Sequence, residues 1–172
     1  MKKQVDSNKN IIYTTLNWND IDKQCNEIYQ QTIVKKYKPD CIIGLMRGGV
    51  IPSRIFSDFF NITDKLYFLD VKLYKDINKR EKKPIIKEFD KKIITEIRKS
   101  KKIALIDDIW DTGTTIKATK EYLGNKGFKV TTITLCFKTV AKTYPDYFSD
   151  SFKSNEWVLF PWEINEFKGE VK

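Results

Sequence analysis

The sequence predicts an α/β fold, a mostly parallel sheet with helices on both faces, and three observations carry that expectation. Two apolar runs of strand length, Cys41 to Met46 and Ile103 to Ile106, are continuous, which marks strands covered on both sides. Each passes through a short turn into a helical pattern, and strands that alternate with helices pack as a parallel sheet between helical layers. The length of 172 residues, 41% hydrophobic and 32% charged, suits one domain with a real core, so residues 1–172 are read as a single unit.

In chain order, Asn17-Trp18-Asn19-Asp20 reads as a helix start. Ile21, Cys25, Ile28, Tyr29, Thr32 and Ile33 then recur at helical spacing until Pro39 closes the segment. The strand 41–46 is followed by Arg47-Gly48-Gly49 and by a helix from about Pro52 to Phe60, with Ile51, Ile55, Phe56 and Phe59 on one side. A further strand is expected from Leu66 to about Tyr74. Residues 75–92 are too charged to pack and read as a mobile loop or short hairpin, a candidate lid. Residues 90–102 hold Ile93, Ile94 and Ile97, which suit an extra helical turn or an insertion serving oligomer contacts. The strand from Ile103 leads to a helix from about Thr115 to Leu123, and Val130 to Phe137 alternates as a strand. Trp157 to Glu163, an aromatic cluster broken by Pro161, is expected to form a small C-terminal hood over about 138–163.

The most informative stretch is Ile103 to Thr115. Four strand-type residues end in Asp107 and Asp108, so the sequence predicts two carboxylates at the carboxyl end of a strand, where open α/β sheets bind ligands. Asp111 then opens a small-residue loop. Gly113 gives it conformational freedom, Thr112, Thr114 and Thr115 supply donors, and the helix that follows points its positive end at the loop. That pattern suits an anion.

This run resembles the phosphoribosyl diphosphate (PRPP) motif of the type I phosphoribosyltransferases, in which an apolar strand leads to two acids, two apolar residues and Asp-Thr-Gly-x-Thr. Four further segments resemble the bacterial xanthine-guanine branch of that family, so the likeness spans about residues 13–163. The resemblance implies that Asp107 and Asp108 hold the ribose diol and its magnesium ion, and that Asp111, Thr112, Gly113, Thr114 and Thr115 wrap the 5′-phosphate. Gly44 to Gly49 resembles the diphosphate loop, with Arg47 and Gly48 facing the leaving group and a cis peptide bond at Met46–Arg47. Asn78-Lys79-Arg80-Glu81 resembles the lid string whose arginine, here Arg80, reaches the diphosphate. Lys138, at a strand end, would bond the exocyclic oxygen of a purine, which disfavours adenine because an ammonium only donates. Glu156 to Glu163 resembles the hood string, in which Trp157 stacks on the base, the Val158 backbone meets its edge, and a terminal acid, here Glu163 where aspartate is usual, helps Asp108 hold metal. Trp110 is bulkier than the small apolar residue usual at its place, and the sequence alone offers no account of it.

The activity implied is transfer of the phosphoribosyl group of PRPP to guanine, xanthine or hypoxanthine, as in purine salvage, with Mg²⁺ as cofactor. Asp111, the only carboxylate inside the phosphate loop, is the candidate general base. Relatives of this kind form homo-oligomers, dimers or tetramers. Two alternatives stay open, a regulator of the same fold that binds nucleotide and RNA or DNA, and a phosphoribosyltransferase for another base.

Composition narrows the field. The chain has no histidine, which all but removes zinc sites and histidine triads. Its three cysteines, Cys25, Cys41 and Cys136, sit among apolar residues and read as reduced core thiols. There is no apolar stretch of membrane length and no signal-peptide pattern, so a cytoplasmic location without membrane contact is expected. The formal charge of +9 is concentrated between Lys72 and Lys102, where thirteen Lys and Arg face five Asp and Glu. Capture of a small polyphosphate suits that segment, with nucleic acid as the less favoured partner.

Overall fold

A computed structural model of the chain describes residues 1–6, 10–75, 82–87 and 89–170. In order, the elements are β1 (Lys2–Asp6), β2 (Ile11–Thr15), α1 (Trp18–Val34), β3 (Cys41–Met46), α2 (Val50–Phe60), β4 (Leu66–Lys75), β5 (Lys82–Ile86), α3 (Lys91–Ile97), β6 (Lys102–Trp110), α4 (Thr114–Asn125), β7 (Lys129–Lys138), β8 (Asp150–Phe152), β9 (Glu156–Leu159) and α5 (Ile164–Glu170). Six strands form the main sheet in the order β5-β4-β3-β6-β7-β8, all parallel except the edge strand β5. A second sheet, β1-β2-β9, sits apart from it.

Successive residues of the central strands serve opposite cores, as a pleated strand buried on both faces requires. Ile42, Ala104 and Ile106 pack with Ile21, Cys25 and Ile28 of α1 and Phe56 and Phe60 of α2. Ile43, Leu45, Ile103 and Leu105 pack with Ile97 of α3 and Ile116 and Leu123 of α4. The start of α1 is fixed by a capping box: Asp20 N donates to the Asn17 side chain at 3.0 Å, and Asn17 N donates back to the Asp20 carboxylate at 3.0 Å. Such a cap contributes about 1 kcal/mol. The three cysteines are buried and free. Among the described residues, no helix is long and apolar enough to cross a membrane.

Three features depart from the sequence expectation. Helix α2 begins at Val50 rather than Pro52, because a proline in the first turn removes only an amide that has no intrahelical acceptor. Strand β6 runs through Asp107 and Asp108 to Trp110, since β7 keeps pairing with it as far as Ile109↔Cys136 and Trp110↔Phe137. The hood is not C-terminal alone: β2 pairs in parallel with β9, Tyr13↔Trp157 and Thr14↔Val158, while Asp150–Phe152 joins the main sheet. The segment 90–102 carries the helical turn that is one of its two expected readings: α3 is capped by Asp90, which accepts from Lys92 N at 2.8 Å, and Ile97 is fully buried, so the segment contributes to the core. Within 75–92, β4 and β5 pair as an antiparallel hairpin from Val71↔Ile86 to Lys75↔Lys82. Its tip, with Arg80, lies outside the described residues.

Candidate active site

The chain leaves β3 for β4 on one side and β6 for β7 on the other, so the carboxyl ends of β3 and β6 flank a topological switch point. The predicted residues gather there. Met46–Arg47 is a cis peptide bond. Beyond it Gly48 passes so close to Asp108 that an added Cβ would lie 2.3 Å from its Oδ2, and a Cβ on Gly49 would lie 2.3 Å from the carbonyl oxygen of Ile106. Only glycines let the β3 turn nest against β6 this tightly.

Asp107 and Asp108 stand in the second half of β6, where Asp107 Oδ1 accepts from Asp108 N at 3.0 Å. Burial, and next the neighbouring Asp108, push the Asp107 carboxyl well above its ordinary range. Burial, and next the charge of Glu163, push Asp108 up to about 7. Glu163 is itself raised by burial and then by Glu166, although it also accepts from Phe160 N at 3.2 Å. A hard divalent cation would relieve this crowding, and the donors are the oxygens that magnesium prefers. Among the described residues, no three His, Cys, Asp or Glu side chains are grouped to hold a metal, so an ion bound by these acids would need further oxygens from water or substrate.

The loop after β6 folds on itself. The hydroxyls of Thr112 and Thr114 lie 2.9 Å apart, and Gly113 takes φ +77° as the N-cap of α4. Gly113 brings no capping side chain, which leaves the helix start open to an anion. Asp111 is exposed, and its Oδ1 lies 3.2 Å from Nζ of Lys138, whose side chain is mostly buried at the end of β7. The same ammonium lies 5.6 Å from the ring centre of Trp157, a half-exposed residue of β9.

Three small cavities adjoin. One of about 110 Å³ is lined by Asp107, Asp111 and the loop through Thr115. Another of about 170 Å³ is lined by Asp111, Lys138, Trp157, Val158 and Glu163. A third of about 150 Å³ is lined by Arg47, Trp157, Glu163 and Glu166. Asp111 is common to the first two, and Trp157 and Glu163 to the last two. Among the described residues, every predicted site residue but Gly48 and Asp108 lines one of these three cavities, and those two pack on each other beside Asp107.

Sequence reasoning missed two contributors. Glu166 of α5 takes both contacts from the Arg47 guanidinium, at 2.9 and 3.2 Å, and Tyr13 of β2 packs on Phe167 with ring centres 5.2 Å apart. An acid one helical turn beyond Glu163 and the run Ile11–Thr15 of β-branched residues around Tyr13, all strand formers, were the available signals.

The phosphoribosyl transferase domain family matches residues 15–166. The xanthine-guanine phosphoribosyltransferase of Idiomarina loihiensis is 24% identical over 151 residues, spanning 87% of this chain and 86% of that protein. A purine phosphoribosyltransferase from Pyrococcus horikoshii superposes with a TM-score of 0.70 at 28% identity, over 87% of this chain and 93% of that one. The Helicobacter pylori xanthine-guanine-hypoxanthine phosphoribosyltransferase gives 0.73 at 21% identity, over 93% and 99%, a likeness of fold alone.

Proposed function

The chain belongs to the phosphoribosyl transferase domain family, and on that premise we propose that it transfers the phosphoribosyl group of PRPP to a 6-oxopurine, guanine, xanthine or hypoxanthine, as a salvage enzyme. The observation that carries the acceptor class is Lys138: a mostly buried ammonium between Asp111 and the Trp157 ring offers donors only, and a 6-oxo group is an acceptor.

In this reading the loop Asp111–Thr115 and the start of α4 hold the 5′-phosphate, and Asp107 and Asp108 bind the ribose diol. Trp157 and the Val158 backbone receive the base. Asp108 and Glu163 would hold Mg²⁺, which when bound supplies positive charge beside the diphosphate oxygens. The bond from the sugar carbon to the diphosphate breaks, the electron pair leaves with diphosphate, and the imidazole-ring nitrogen of the purine bonds to the sugar carbon. The proton of that nitrogen passes to the Asp111 carboxylate. Arg47 and the lid arginine Arg80 face the departing charge. Little covalent work falls to the protein, so alignment and exclusion of water supply the acceleration.

Product analysis after incubation with PRPP, magnesium and each base in turn tests the reading. Nucleoside monophosphate and diphosphate are expected in equal amounts with at least one 6-oxopurine. No product with guanine, xanthine or hypoxanthine, together with submicromolar, steeply salt-dependent nucleic-acid binding, would favour the regulator instead.

A further inference from the structure

The proposed chemistry leaves one residue of the central motif idle. Trp110 ends β6, is 3% exposed and packs in the core with Ile116 and Phe137. Its indole lies directly beneath the loop: a Cβ built on Gly113 would lie 2.3 Å from Nε1 and 2.4 Å from Cε2. Gly113 is thus required twice, for its left-handed backbone and for the room the indole takes. The indole N–H is buried and has no acceptor among the described residues, although a buried tryptophan N–H is normally paired. Lys117, one turn into α4, holds its ammonium 5.9 Å from the ring centre. Trp110 also lines the cavity formed by the loop itself.

A leucine or phenylalanine would fill this part of the core without burying an unpartnered donor, a burial that costs free energy. The donor lies against Gly113, in the loop that would rearrange its contacts when an anion arrives. We propose that Trp110 is a positioning residue of the phosphate loop: its indole is the floor on which Gly113 rests, and its N–H gains an acceptor when the loop closes on the phosphate of a ribose 5-phosphate ester. The inference rests on the reading of Asp111–Thr115 as that loop. The new hydrogen bond exists only with the loop closed, so it strengthens retention of the 5-phosphate end. It leaves the bond changes at the sugar carbon untouched.

Calorimetric titration of the full chain with ribose 5-phosphate, and separately with diphosphate, tests this in the wild type and in Trp110→Phe. Ribose 5-phosphate is expected to bind about five- to tenfold more weakly to the variant, and diphosphate within about twofold. KM for PRPP should rise by a similar factor, with kcat at saturation within about threefold. Equal ribose 5-phosphate affinity in the two proteins, or parallel loss of both ligands, overturns the proposal.

A measurement on the wild type does not depend on the variant folding. With tryptophan labelled in ¹⁵N, the indole signal in close contact with the Gly113 protons should move downfield and exchange more slowly when ribose 5-phosphate is added, and not with diphosphate. Saturable ribose 5-phosphate binding with that signal unmoved overturns the role of Trp110 alone. A wild type that binds no ribose 5-phosphate overturns the phosphate-loop reading, and this inference with it.

Discussion

Two loops leave the carboxyl end of one sheet and are held in opposite ways. The loop after β6 is made by its sequence neighbours: Trp110 lies under Gly113, Thr112 bonds to Thr114, and α4 begins at once. The loop after β3 is made by strangers. Gly48 fits against Asp108 on the next strand, and Arg47, 83% exposed, is held by Glu166, which lies 119 residues further along the chain. In the proposed reading the first loop is an anion cradle shaped by its own neighbours and closed by its ligand. The second is an arm whose shape depends on β6 and whose charge is shared with the C-terminal helix.

Substitutions can break or sharpen this contrast. The largest effect is expected at the loop after β6: Asp111→Asn keeps its shape and removes the proton acceptor, so kcat should fall by roughly two to four orders of magnitude while PRPP affinity stays nearly intact. Turnover near that of the wild type would remove Asp111 from its role. In the β3 loop, Gly48→Ala should force Asp108 from its place and destabilise the fold by about 1–3 kcal/mol, lowering Tm by about 3–10 °C and raising KM for PRPP. An unchanged melting curve would mean the two turns are less closely fitted than their geometry implies. The smallest effect belongs to the solvated pair: Glu166→Gln should move Tm by no more than about 1 °C and lower KM for PRPP by at most about threefold, since it frees Arg47 without altering its backbone. A KM that rises instead would make Glu166 part of the substrate site.

The same contrast explains what could be read from the sequence. The strand–turn–helix units of β3 with α2 and β6 with α4 are local, so the strand pattern, the turn residues and the helix that follows all lie within about twenty residues of one another. The N-terminal part of the hood escaped because β2 finds its partner in β9, with Ile12 opposite Glu156, and no local periodicity reports a pairing of that separation. The overrun of β6 past its acids has the same origin, since β7 decides where the ladder stops. At the site, residue types and order pointed to the cradle, whereas the Arg47–Glu166 pair became visible only when α5 was placed.

In the proposed function Lys138 carries the choice of base, and the ratio of kcat/KM for 6-oxopurines over adenine, in the wild type and in Lys138→Met, tests that claim most directly. The wild type should favour its best 6-oxopurine over adenine by roughly two to four orders of magnitude, because a buried donor left without its acceptor penalises the wrong base. In Lys138→Met that preference should fall to about tenfold or less, chiefly through loss of turnover on the oxo base. A wild type that uses adenine as well as it uses any 6-oxopurine, or a variant that keeps the full preference, would contradict the account.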